Sequence, residues 1–219
     1  MSEQELAGKA AIVTGAGRNI GRAIALKLAR SGAAVVINAR SNAKESDEVV
    51  RSIEALGGRA ASVLGDVADP KVAEALAATA LERFGRIDIL VNNAALRREK
   101  SIIDMTYAEW REVMDVTLDS AFHCVKASLP ALRKDGGAIV NVGGMSAHIG
   151  SAHRAHVMTA KVGLVGFTRG LAHDLAADGI WVNCVVPAPS TRRGRRARRN
   201  RRIISRTARS PASAARQTT

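Results

Sequence analysis

The stretch TGAGRNIGRAIA, residues 14–25, sets Gly15, Gly17 and Gly21 in one short turn. Glycines at this spacing let the backbone bend sharply. A helix opening directly behind them points its free N–H groups and positive dipole end at an anion. The chemistry of such a turn is to hold a pyrophosphate. Arg18 lies within the turn, and Arg40 lies in INARSN, residues 37–42, which contains no acidic residue. An acid there would bind a ribose 2′-hydroxyl, whereas two guanidiniums suit a 2′-phosphate. A second group of reactive side chains falls between residues 146 and 161: Ser146, His148, His153, His156 and Lys161. The histidines can exchange protons near neutral pH. No cysteine or acidic ligand accompanies them, so no metal site is expected. Cys124 and Cys184 lie far apart and are expected to stay reduced.

These residues need a scaffold, and the apolar pattern describes one. Short β-branched runs at 10–13, 34–37, 60–64, 87–91, 138–142 and 180–186 read as strands. They are apolar on both faces, as parallel strands covered by helices must be. Stretches 20–31, 43–56, 70–84, 106–134 and 155–178 carry apolar residues at helical spacing. Asp69-Pro70 and Thr106 are suitable helix starts, and Gly32, Gly57 and Gly179 suitable stops. Strands alternating with helices predict an α/β fold. It is a Rossmann-type doubly wound parallel sheet in the order 3-2-1-4-5-6, with helices on both faces.

RAHVMTAKVGLVGFTRGLA, residues 154–172, resembles the active-site helix of the short-chain dehydrogenase/reductase family. TGAGRNIG resembles that family's TGxxxGxG, with Asn19 in place of the middle glycine. GDVAD (65–69), VNNAA (91–95) and NCVVP (183–187) match further family segments in the same order. The resemblance covers roughly residues 6–187 and is strongest to the 3-oxoacyl-[acyl-carrier-protein] reductase branch. It implies hydride transfer between a nicotinamide and a carbonyl or secondary alcohol. It also implies a cofactor site made by Gly15, Arg18, Asn19, Ile20, Gly21, Arg40, Asp66, Val67, Asn93, Ala94 and Lys161. Arg18 and Arg40 favour NADP, with NAD as the alternative. The family's catalytic set is a serine, a tyrosine, a lysine and an asparagine. Carried over position by position, these fall on Gly144, Val157, Lys161 and Thr117. Only the lysine is kept. Valine can neither give nor take the proton that carbonyl reduction requires. Lys161 and the nearby Ser146 are therefore the candidate catalytic residues. The alternative is a nucleotide-binding protein without turnover.

The formal net charge of +13 belongs mostly to one end of the chain. Eleven of the 33 basic residues are arginines at or after position 189, in a stretch without an acid or an aromatic residue. Residues 188–219 read as an Arg-rich disordered tail following a domain of residues 1–187. Three origins stay open for it: a natural disordered tail, a phosphate-binding segment, or a change of reading frame. Nucleic acid is not expected as a partner, because no stacking side chain is present. A seventh strand is not found, which leaves the sixth as an edge. Family oligomers commonly use that last strand, so a regular homo-oligomer is not expected. The expected partner is a small-molecule carbonyl or alcohol. The first residues lack the features of a signal peptide, and no run of about 18 apolar residues occurs. The expected location is the cytoplasm, away from membranes.

Overall fold

The computed structural model describes residues 4–187. The Arg-rich tail and the question of a seventh strand lie outside the described residues. Six parallel strands form one sheet: β1 (Ala10–Val13), β2 (Ala34–Ala39), β3 (Ala60–Leu64), β4 (Ile89–Asn92), β5 (Gly137–Val142) and β6 (Ile180–Val185). Their order is β3-β2-β1-β4-β5-β6, as the alternation of elements predicts. Ile12 lies beside Val36 and Leu90, while Val13 lies beside Ile37 and Val91.

Side chains alternate across this sheet, and each face has its own cover. Ile12, Val36, Leu90, Ile139 and Val182 pack on one side with α3 (Pro70–Phe84), α5 (Ser120–Asp135) and α7 (Ala155–Asp174). Val13, Val35, Ile37, Val91 and Val142 pack on the other with α1 (Asn19–Arg30) and α2 (Ala43–Glu54). Strand β6 buries Ile180 and Val182 and exposes Trp181 and Val185. Among the described residues nothing pairs with its outer edge. No described helix is long and apolar enough to cross a membrane.

Helix starts follow local chemistry. Asn42 caps α2 and Asp69 caps α3 by accepting from backbone N–H groups. Thr106 and Glu109 form a reciprocal capping box at α4 (Tyr107–Met114). The single helical stretch expected over 106–134 is divided. A π-helical turn, Asp115–Asp119, separates α4 from α5. The wider turn lets adjacent Val116 and Thr117 both face inward, and both are buried. The short helix α6 (Ser146–Ile149) carries no apolar period and gives no signal in the sequence.

Candidate functional site

The C-terminal ends of β1, β2 and β4 build the groove that the glycine turn faces. Gly15 has φ 61° and Asn19 φ 51°. Both backbones are left-handed, which Asn tolerates better than most residues. A Cβ on Gly21 would collide with the Gly15 carbonyl oxygen and lie 2.5 Å from Asn93 Nδ2. The turn therefore closes only around glycine. Two polar side chains that the sequence reading missed lock it. Buried Asn38 accepts from the Gly15 N–H at 3.2 Å and donates to the Gly65 carbonyl at 3.0 Å. Thr14 Oγ1 accepts from the N–H groups of Asn93 and Ala94, each at 3.0 Å. Asn93 in return donates to the carbonyls of Thr14 (2.8 Å) and Gly15 (3.0 Å). Asn38 lies within β2 and Thr14 directly follows β1, where a polar side chain at the end of an apolar run was the available signal.

The turn fits a pyrophosphate on one further observation. Helices α2, α3 and α4 have side-chain caps; α1, like α5, α6 and α7, has none, and Arg18 precedes it. The first turn of α1 holds no acidic residue. Its orphan N–H groups thus open onto the groove beside exposed Arg18, Asn19 and Ile20. Arg18 makes no ion pair among the described residues. Arg40 follows β2, and its Nε lies 2.9 Å from Asp66 Oδ2. Asp66 Oδ1 accepts from the Ala68 N–H at 3.1 Å, and Val67 beside it is buried. Ala94 packs against Gly15, where a Cβ would lie 2.9 Å from Ala94 Cα.

Deeper in the groove, Lys161 projects from α7 and is nearly buried. Its Nζ donates to the Val142 carbonyl at the end of β5. Burial pushes the Lys161 pKa down to about 8; the Cys184 thiol opposes this and Arg97 adds to it. Gly144 lies alongside, its Cβ direction 3.5 Å from Lys161 Cγ. Ser146 is half-buried at the start of α6, which packs against α7. Its hydroxyl has no hydrogen bond among the described residues. Val157, one turn before Lys161, is buried with Val113 and Ala160, against Leu96, Met114 and Leu118. Thr117 Oγ1 accepts from the Leu96 N–H at 3.3 Å and is buried.

The family pattern described as short chain dehydrogenase matches residues 9–201. The chain belongs to the short-chain dehydrogenase family. A 3-oxoacyl-[acyl-carrier-protein] reductase of Synechocystis sp. is 39% identical over 183 residues, 83% of this chain and 74% of that protein. A reductase of the same description from Staphylococcus aureus is 37% identical over 180 residues, 82% of this chain and 73% of that one. Among solved structures, a short chain dehydrogenase from Burkholderia cenocepacia in complex with NADP superposes with a TM-score of 0.81. It is 39% identical, over 84% of this chain and 76% of that chain.

Val157, the position onto which the family's tyrosine is expected to fall, lies in an apolar cluster, and Gly144, the position expected for its serine, lies beside Lys161. His148 and His153 are exposed, and the His153 carbonyl accepts from the Lys100 N–H. His156 is fully buried with neither ring nitrogen partnered, where burial lowers its pKa.

The buried ammonium makes a stability prediction. Lys161 titrates near 8 when folded and near its ordinary 10.5 when unfolded. Between these values the unfolded chain binds the extra proton, so stability rises with pH. Melting temperatures of wild type and Lys161→Met, compared from pH 7 to 10, test the sign. The variant is expected to be the more stable at pH 7, with the gap narrowing as the pH rises. A gap that widens with pH would refute the assignment.

Proposed function

We propose that this chain binds NADP(H) and exchanges hydride between the nicotinamide and a small-molecule carbonyl or secondary alcohol, in the manner of the 3-oxoacyl reductases it resembles. The observation that carries the reading is the uncapped α1 N-terminus, held open by the Asn38, Thr14 and Asn93 locks and flanked by Arg18 and Arg40. The cofactor, when bound, supplies the hydride. The chain supplies the rest. Backbone N–H groups of Asn19, Ile20 and Gly21 hold the pyrophosphate. Arg18 and Arg40 take the 2′-phosphate. Asp66 and Val67 flank the adenine, with Asn93 and Ala94 closing over the adenosine side. Lys161 meets the ribose hydroxyls and holds the proton nearest the missing tyrosine. Ser146 is the hydroxyl available to a substrate oxygen.

Calorimetric titration tests this without knowledge of the substrate. NADPH is expected to bind at least tenfold more tightly than NADH, and Arg40→Ala to remove most of that difference. Equal affinity for the two would overturn the preference. A second reading, nucleotide binding without turnover, is favoured by Val157, which has no ionisable group and packs among apolar side chains.

A further inference from the structure

Four charged side chains form a row from the end of β3 to α4. Asp66 holds Arg40 at 2.9 Å, Arg40 Nη1 lies 4.0 Å from Glu112 Oε1, and Arg98 Nη2 lies 2.6 Å from that same oxygen. Arg40 follows β2, Asp66 follows β3, and Arg98 follows β4 by way of VNNAALRR. Glu112 comes from α4, an element with no part in the phosphate turn. All four side chains are partly exposed, so none is locked in place.

The Glu112 carboxylate has two guanidiniums converging on one of its oxygens. That is the environment a phosphate monoester seeks, since planar guanidiniums pair with phosphate and carboxylate oxygens alike. We infer that Glu112 is a specificity-determining residue: its carboxylate competes with the cofactor's 2′-phosphate for Arg40 and Arg98. This rests on the reading of Arg40 as a 2′-phosphate ligand. A dianionic phosphate arriving at Arg40 meets two carboxylates, Asp66 at 2.9 Å and Glu112 at 4.0 Å, and Glu112 is the one whose charge sits between Arg40 and Arg98. NADH has no phosphate there and does not contest the pair. Glu112 therefore weakens NADPH selectively and narrows the preference that Arg18 and Arg40 create. Arg98, released from Glu112, becomes a further arm for the phosphate.

Titration of wild type, Glu112→Gln and Arg40→Ala with NADPH and with NADH decides the matter. Glutamine keeps the size and a hydrogen bond to Arg98 while removing the charge. The expected result is NADPH binding about tenfold tighter in Glu112→Gln, with NADH unchanged, the effect of one partly screened charge at this range. A merely structural role for Glu112 would move both cofactors together, so an unchanged NADPH-to-NADH ratio overturns the inference. If the ratio is unchanged in Glu112→Gln but falls in Arg40→Ala, the proposed cofactor reading survives and this inference does not. If Arg40→Ala leaves the ratio unchanged, both fall.

Discussion

Val157→Tyr combined with Gly144→Ser raises NADPH-dependent ketone reduction by about two to four orders of magnitude over wild type, the usual contribution of a positioned acid. The scaffold already holds what the pair needs. A side chain at Gly144 would start 3.5 Å from Lys161 Cγ, an ordinary contact, and its three nearest neighbours all belong to that lysine. Serine is therefore accepted without strain. A tyrosine at 157 stands one turn before Lys161, whose ammonium lowers the phenol's pKa across the i,i+4 spacing. The cost is steric. Val157 packs with Val113 and Ala160, and a ring forced among them destabilises by about 1–3 kcal/mol. Val157→Phe with Gly144→Ser carries the same steric load without the hydroxyl and is expected to stay at the wild-type rate. The readout is NADPH consumption with a panel of simple ketones, alongside calorimetric NADPH affinity. If the tyrosine and phenylalanine variants turn over equally, proton supply is not what separates this chain from its relatives. If wild type already matches the tyrosine variant, the reading of binding without turnover is lost.

What the sequence made legible follows from which forces leave a periodic mark. Strand order was readable because β1, β2 and β4 are apolar on both faces, and only a covered parallel sheet buries such runs. Asn19 was readable because few residues besides glycine accept a left-handed backbone. That Val157 stands one turn before Lys161 was readable because both fall in one run of helical spacing, and α7 holds them so. Long-range polar pairs leave no such mark. Asn38 and Gly15 are 23 positions apart, and their hydrogen bond is invisible until β1 and β2 lie side by side. Glu112 and Arg40 are 72 positions apart and come within 4.0 Å only in the folded chain. The π-helical turn at Thr117 was hidden because apolar positions continue through it. His156 gave no sign of burial in the sequence, yet it lies on the inward side of α7.

The most damaging single change outside the groove is expected at Asp88. The carboxylate lies near the start of β4, buried, and accepts four hydrogen bonds. Arg86 donates at 2.7 and 2.6 Å, the Ala10 N–H at 2.9 Å and Lys9 Nζ at 3.0 Å. Burial pushes its pKa up, but the hydrogen bonds from Arg86, Ala10 and Lys9 outweigh this and hold it below the usual carboxylate range. Asp88 thus ties the beginning of β1 to the beginning of β4. The far ends of those two strands carry Thr14 and Asn93, the pair that locks the phosphate turn. Asp88→Ala orphans the Ala10 N–H and strips Arg86 of its two short bonds. Lys9 and Arg86 reach water, so the loss falls at the lower end for a broken buried pair, about 3 kcal/mol. For a chain of this size that is roughly 6–12 °C in melting temperature. Its pH dependence is specific. A carboxylate with a lowered folded pKa contributes fully above its unfolded value, and the contribution fades as the pH falls through the folded one. The gap between wild type and Asp88→Ala is therefore full at pH 7 and shrinks below about pH 4. Weakened NADPH binding at temperatures where the variant is still folded would show that the clamp at one end of β1 and β4 steadies the cofactor turn at the other. A gap in stability independent of pH would show that the carboxylate's charge is not what holds the strands together.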